Sequence, residues 1–304
     1  MPAILIRRLA TAIPTLFAVV LLSFLLMRVA PGSPFDSERP LDPAIRAAME
    51  RAYGLDQPLP VQLGRYLANI ATGDFGPSLV YKDFTVSKLI AQGLPVSLQL
   101  GGLALLLAAL LGVGGGIAGA LRPGGWIDRS VSVASSLAVA LPSFVTGPVL
   151  ALVFALWLAW LPVSGLGGPS SLVLPVIALA LPVAGAVARL TRTGLAAALA
   201  QDHVRTARAR GIAPVRVIVR HALPPALIPV VSYLGPAAAG LLTGAVVIET
   251  VFGLPGLGRY FVQGALNRDY PLVMGVVILY AGLILLFNLI ADLLYGWLDP
   301  RVRG

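Results

Sequence analysis

Few side chains in this chain are equipped for bond-making chemistry, and their spacing excludes most of it. There is no cysteine, so thiol nucleophiles, iron–sulfur clusters and disulfides are ruled out. His203 and His221 are the only imidazoles, too few for a conventional zinc site without carboxylate help. No Ser/Lys pair or cluster of acids stands where a membrane protease or transferase would need it. The segment GLPGLG at 253–258 lacks the Lys-Ser/Thr that completes a phosphate-binding loop. No nucleotide-hydrolysing motif occurs elsewhere. Two features keep chemical interest. One is a run of arginines, Arg205, Arg208, Arg210, Arg216 and Arg220, whose forked donors suit carboxylates across a surface. The other is Glu249, an acid at the edge of an apolar run, and ionisable groups near membrane depth are functional candidates by default.

The elements that must hold these residues are membrane helices. The 304 residues are 58% hydrophobic and 12% charged, with a mean hydropathy of +0.89, whereas soluble domains carry roughly a quarter charged residues. Formal charges are absent from 9–27, 89–121, 130–188, 221–248 and 270–291. A helix needs about 20 residues to cross the hydrocarbon core. Four gaps therefore hold one span each, and the longest holds two, split by the Gly- and Pro-rich turn at 161–171. The six expected spans are 9–29, 97–120, 132–160, 172–190, 226–250 and 272–294. The runs are continuous rather than alternating, which argues against a barrel. The first span follows a basic start but has no clean cleavage site, so it reads as retained rather than as a signal peptide.

With the N-terminus inside, 13 bases and four acids fall on the cytoplasmic side, and nine of each fall outside. The Lys/Arg bias places both termini in the cytoplasm. The net charge of +9 then describes topology and contact with anionic lipid rather than nucleic-acid binding. Residues 30–95 form a large exterior loop. Pro43–Tyr53 and Leu59–Ile70 carry helical apolar patterns, and GDFGPS at 73–78 reads as a turn. Gly112, Gly115, Gly116 and Gly119, and likewise Gly240 and Gly244, have the spacing of close helix contacts in membranes. Pro142, Pro148, Pro175, Pro182 and Pro236 predict kinks, or walls of a water-lined cavity. Asp292 reads as interfacial.

The stretch 189–230 is the long cytoplasmic connection. Thr193–Arg210 is composed of good helix formers, Gly211 is a natural stop, and Pro214 opens a further short helix. Pro224 and Pro225 are expected to break the chain before the fifth span. The result is an arginine-bearing elbow fixed to a membrane helix at each end, in which Ala207 and Gly211 are small enough to admit a partner.

QDHVRTARARG followed by RHALPPALIPV resembles the EAA loop of ABC importer permeases, in the version found in dipeptide and oligopeptide permease subunits. In the general pattern Ala207, Gly211, Leu223 and Pro224 match, Arg205 and Thr206 replace the Glu and first Ala, and His221 stands at the Ile position. Further segments agree in chain order: RRLATAIPTLF, YGLDQPLPVQLGRYL, GDFGPSL, LPSFVTGPVLAL, LPVIALALPVAGAVARLTR and IETVFGLPGLGRYFVQGALNRDYPLV.

The resemblance, which covers nearly the whole chain, implies an all-α protein with the type I ABC importer permease fold. It implies residues 1–30 as tail and first helix, 31–95 as an external region, 96–298 as the permease core with its coupling loop at 191–225, and 299–304 as a cytoplasmic tail. It further implies that Arg205, Thr206, Ala207, Arg208, Arg210, Gly211, Leu223 and Pro224 contact an ATPase subunit. Glu249, Pro142, Gly253, Pro255 and Gly256 are candidates for a gate or pathway. Glu249 reads first as a structural ion-pair partner for Arg259.

The implied assembly contains a homologous second permease subunit, two ATP-binding subunits and an external solute-binding protein in a bacterial inner membrane. This chain needs no cofactor, ATP and Mg being bound by the partner subunits. Peptides are the implied cargo, with nickel, glutathione or another small solute as alternatives. A self-powered secondary transporter, which commonly carries internal repeats and intramembrane charges, is the more distant reading.

Overall fold

The computed structural model describes residues 2–29, 56–81, 83–165 and 167–298. The pattern at Pro43–Tyr53 lies outside them, as does the tail 299–304. The described residues are helical apart from turns and one isolated bridge, Pro77 to Thr85. The helices are α1 (Pro2–Val29), α2 (Leu59–Ala71), α3 (Val86–Leu121), α4 (Trp126–Ala140), α5 (Ser143–Leu150), α6 (Val173–Leu199), α7 (Asp202–Ala209), α8 (Pro214–Val217), α9 (Leu223–Val251), α10 (Leu257–Leu266) and α11 (Tyr270–Leu298). A π-helical stretch, Ala151–Trp157, extends α5. Another, Ile218–Ala222, joins α8 to α9.

Among the described residues five helical stretches are long and apolar enough to cross a membrane, and α4 with the extended α5 forms a sixth candidate, bent by 105°. This corrects the expectation of one continuous span at 132–160. The bend falls at Leu141–Pro142, where Leu141 is extended (φ −87°, ψ 117°). Proline disfavours helical geometry in the residue before it, and it lacks the amide that would continue the ladder. Each arm of 15 residues is only about 22 Å long, too short to cross alone. The pair nevertheless carries the chain across. Asp128, in the first turn of α4, bonds Arg192 near the C-terminus of α6. Past the second arm, the Gly165 amide donates to the Phe252 carbonyl at the end of α9. The spans therefore cross six times.

The same contacts divide the molecule into two ends. The elbow end holds the C-termini of α3 and α6, α7 and α8. There the start of α1 meets the finish of α11, where Arg8 pairs with Asp292 at 2.8 Å. The far end holds the C-terminus of α9, α10 and the start of α11.

Helix α6 is the axis of the core, with 67% of its apolar window buried inside the chain, against 11% for α1. It packs along α3 through Gly112 and Gly116, as their spacing predicts: a Cβ on Gly112 would meet Val187 at 2.6 Å, and one on Gly116 would meet the Ala188 carbonyl at 2.6 Å. Gly240 has nothing within 4 Å of that position, so it makes no such seam within the chain. Helix α3 begins at Val86, not near 97, because Thr85 caps it by accepting from the Lys88 amide. The last ten residues assigned to the exterior region are thus helical, with Pro95 inside the helix. The turn at 73–78 is present, with left-handed Gly73 and Gly76 and the Asp74 carboxylate accepting from the Gly76 amide at 2.9 Å.

Candidate functional site

The elbow is two helices rather than one. α6 ends at Leu199, the chain turns at Ala200–Gln201 with Gln201 extended, and α7 starts at Asp202. The expectation of a single helix over Thr193–Arg210 is corrected there. α7 has an apolar edge, Val204 and Ala207, buried against Ala120, Leu195, Ala198, Val217, Ala222 and Ala226. Ala207 is therefore small to fit its own chain rather than to admit a partner. Arg205, Thr206, Arg208 and Arg210 lie on the exposed remainder. Arg205 faces Asp202 at 3.6 Å with side chains 71% and 97% exposed, an arrangement that contributes little in water and leaves the guanidinium accessible.

Gly211 ends the elbow helix with φ +73°, a left-handed conformation disfavoured for residues with a side chain. Nothing lies within 4 Å of where its Cβ would stand, so its requirement is the turn itself. Beyond it, Pro214 opens α8 at N1. Pro224 and Pro225 do not break the chain. The π turn precedes them, with the Leu223 amide bonding the Ile218 carbonyl, and α8, the turn and α9 run as one 38-residue stretch from Pro214 to Val251. Leu223 is half-buried and Pro224 exposed.

At the far end Glu249 is fully buried. Its Oε1 accepts from the Ser97 hydroxyl at 2.6 Å and its Oε2 from the Gly258 amide at 2.7 Å, while the Leu257 amide donates to Ser97 Oγ at 2.9 Å. The carboxylate thus sits on the first amides of α10, where a helix N-terminus favours negative charge. This corrects the Glu249–Arg259 ion pair: Arg259 is exposed, and the partner is backbone and Ser97. Gly256 and Gly258 pack directly on the Glu249 carboxyl. Gly253 is left-handed (φ +62°), Pro255 is half-buried in the same turn, and Pro142 stands exposed at the α4–α5 bend.

Sequence reasoning missed three supports. Asp128, buried at 4% exposure, accepts from both Nε and Nη2 of Arg192 and from the Gly124 amide, tying α4 to α6 at the elbow end. Asp269, fully buried, accepts from the Ser78 hydroxyl and the Val80 and Leu272 amides. It joins the 73–81 turn to the start of α11. His203 Nε2 lies 3.1 Å from the His221 carbonyl. No local pattern exposes these, because in each case one partner is distant in sequence: Arg192 for Asp128, Ser78 for Asp269 and His221 for His203.

The described residues thus form a bent helical membrane core with an arginine-faced elbow docked at one end. Residues 102–304 match the model of the binding-protein-dependent transport system inner membrane component. Across almost the entire chain it is 48% identical to the oligopeptide transport system permease protein OppB of Haemophilus influenzae, covering 98% of each chain. It is 39% identical to the dipeptide transport system permease protein DppB of Bacillus subtilis, covering 98% of this chain and 97% of that one. Among solved structures, the inward-facing MetNI methionine ABC transporter superposes with a TM-score of 0.59 at 18% identity, over 69% of this chain and 96% of that one. An amino acid ABC transporter aligns at 0.54 and 19%, over 68% and 92%. The chain belongs to the family of binding-protein-dependent transport system inner membrane components, and its fold is that of the type I ABC importer permeases.

Proposed function

We propose that this chain is one of two permease subunits of a bacterial importer for di- and oligopeptides, driven by two ATP-binding subunits on the cytoplasmic side. The observation that carries the reading is the elbow. α7 is seated by Val204 and Ala207 on the ends of α3, α6 and α9, yet it keeps Arg205, Thr206, Arg208 and Arg210 free for an external surface. A short helix anchored so closely transmits rigid-body motion, and interfaces of that kind switch between discrete packings. The arginine excess near the elbow supports a cytoplasmic position for that end and for both termini. ATP and Mg belong to the partner subunits. The full-length similarity to oligopeptide and dipeptide permeases supports peptides as the cargo.

The test is ATPase and uptake in the complex of both permeases and both ATPases, reconstituted in vesicles with its external binding protein. Peptides are expected to stimulate hydrolysis and accumulate inside, and Thr206→Cys is expected to cross-link to an ATPase subunit. Stimulation by a nickel chelate or glutathione with none by any peptide overturns the cargo. Uptake by this chain alone without ATP overturns the mechanism.

A further inference from the structure

In a regular helix the His221 carbonyl would accept from the amide of residue 225. Pro225 has no amide, so the helix provides that carbonyl with no α-helical donor. His203, in the first turn of α7, reaches it from outside: its Nε2 stands at 3.1 Å. A carbonyl only accepts, so Nε2 carries the proton in this contact. Among the described residues this is the one side-chain hydrogen bond between α7 and the helix beyond Gly211. The Asp202–Arg205 pair and the bond from the Thr206 hydroxyl to the Asp202 carbonyl both close within α7.

We infer that His203 is a positioning residue that clamps the elbow helix to α9 through the carbonyl released by Pro225. Val204 and Ala207 hold α7 by non-directional apolar contact, which fixes its distance from the core better than its rotation. The first turn of α7 also follows a break at Ala200–Gln201, so α6 does not stiffen it. A directional bond at residue 203 supplies the missing restraint. The proline that ends one hydrogen-bond ladder thereby creates the acceptor that ties two elements together. This inference rests on the reading of α7 as the ATPase contact.

The experiment is a double-mutant cycle in the assembled, reconstituted transporter, read by two measurements. His203→Ala is expected to raise backbone amide exchange across 202–209 by roughly threefold to tenfold, the weight of one neutral hydrogen bond. It is also expected to lower the peptide moved per ATP hydrolysed. His203→Gln, whose amide nitrogen can reach the same carbonyl, is expected to restore both. Pro225→Ala returns a helical donor to His221, so the effect of His203→Ala is expected to shrink in that background, an interaction between the two positions rather than a sum. Equal effects in both backgrounds, or no rescue by glutamine, overturn the clamp. Raised exchange with unchanged peptide per ATP overturns its role in coupling. Absence of the Thr206→Cys cross-link instead defeats the reading of α7 as the ATPase contact, and the exchange cycle still reports the His203 contact.

Discussion

Replacing Gly116 with alanine adds one methyl to the α3–α6 seam, and its consequence follows from the geometry. The new carbon would stand 2.6 Å from the Ala188 carbonyl oxygen and 3.0 Å from the Arg192 amide, whereas unstrained contacts lie near 3.5–4.0 Å. These two atoms are backbone, and the nearest neighbour, Thr191 Cβ at 2.5 Å, is fixed to it, so no side-chain rotation relieves the clash, and α3 must move away from α6 by about 1 Å. Overpacking of this kind costs about 1–3 kcal/mol, and the backbone partners place it toward the upper end. Alanine recovers about 1 kcal/mol of helix propensity over glycine, leaving a net loss near 2 kcal/mol. Gly114→Ala, two residues away, meets nothing within 4 Å and keeps only the propensity gain of about 1 kcal/mol. The variants should therefore differ by ~3 kcal/mol, roughly a hundredfold in the folding equilibrium. Thermal unfolding in one detergent, followed by tryptophan fluorescence, reads the difference. The expected order of melting temperatures is Gly114→Ala above wild type above Gly116→Ala. If Gly116→Ala melts with or above Gly114→Ala, the close α3–α6 contact does not hold the core, and the seam has been misread.

Three further outcomes follow from the polar supports and the elbow turn. Ser97→Ala removes a donor to Glu249 and the acceptor of the Leu257 amide; each unsatisfied buried group costs about 1–3 kcal/mol, so amide exchange at 257–259 should rise more than tenfold, and exchange at the wild-type rate refutes the latch. Asp128→Leu should destabilise the α4–α6 junction more than Asp128→Leu combined with Arg192→Leu, because the single variant strands a guanidinium; melting temperatures of the pair decide it, and additive losses count against the bridge. Gly211→Val should lower peptide transport per ATP while membrane insertion is retained, since a β-branched residue resists the +73° φ; wild-type coupling in that variant removes the turn from the mechanism.

What the residues disclosed in advance follows from how local each signal is. The spans were legible because formal charge stops and starts within a few residues of the membrane faces, and Gly112 and Gly116 because their spacing alone puts them on one helix side. A kink at Pro142 was legible, but not a 105° break there. Pro142 and Pro182 both occur as Leu-Pro inside apolar runs, yet Pro182 lies inside α6 and Pro142 divides α4 from α5. The close approach at Gly185, where a Cβ would stand 2.7 Å from the Ser135 carbonyl, is a tertiary constraint that no local pattern carries. Glu249 was assigned the nearest cation in sequence, Arg259, whereas its side-chain donor is Ser97, 152 residues away. Ala207 was read as a partner's landing point because small residues suit both inside and outside contacts; only the burial of α7 separates the two.

The two ends of the molecule share one structural member. From Pro214 to Val251 the chain is a continuous helical stretch of 38 residues, about 57 Å at the α-helical rise, enough to pass from one membrane face to beyond the other. Its first turns receive α7, through Val217, Ala222 and Ala226. Its last turn holds α10, through Glu249 and the amide of Gly258. A push on α7 therefore arrives at the far end without crossing a loop, provided the stretch between acts as a beam. Beyond the π turn and Pro225, Pro229 and Pro236 interrupt its ladder, giving the membrane part of the beam two places at which to pivot. Gly235 lies beside the second and packs against Ala291 of α11, which makes that contact the natural fulcrum. A bulky residue there, Gly235→Leu, should leave α7 seated and α10 latched by amide exchange, while peptide uptake falls relative to ATP hydrolysis. Uptake that keeps pace with hydrolysis would show that the ends communicate by another route, through α6 or through the second permease subunit.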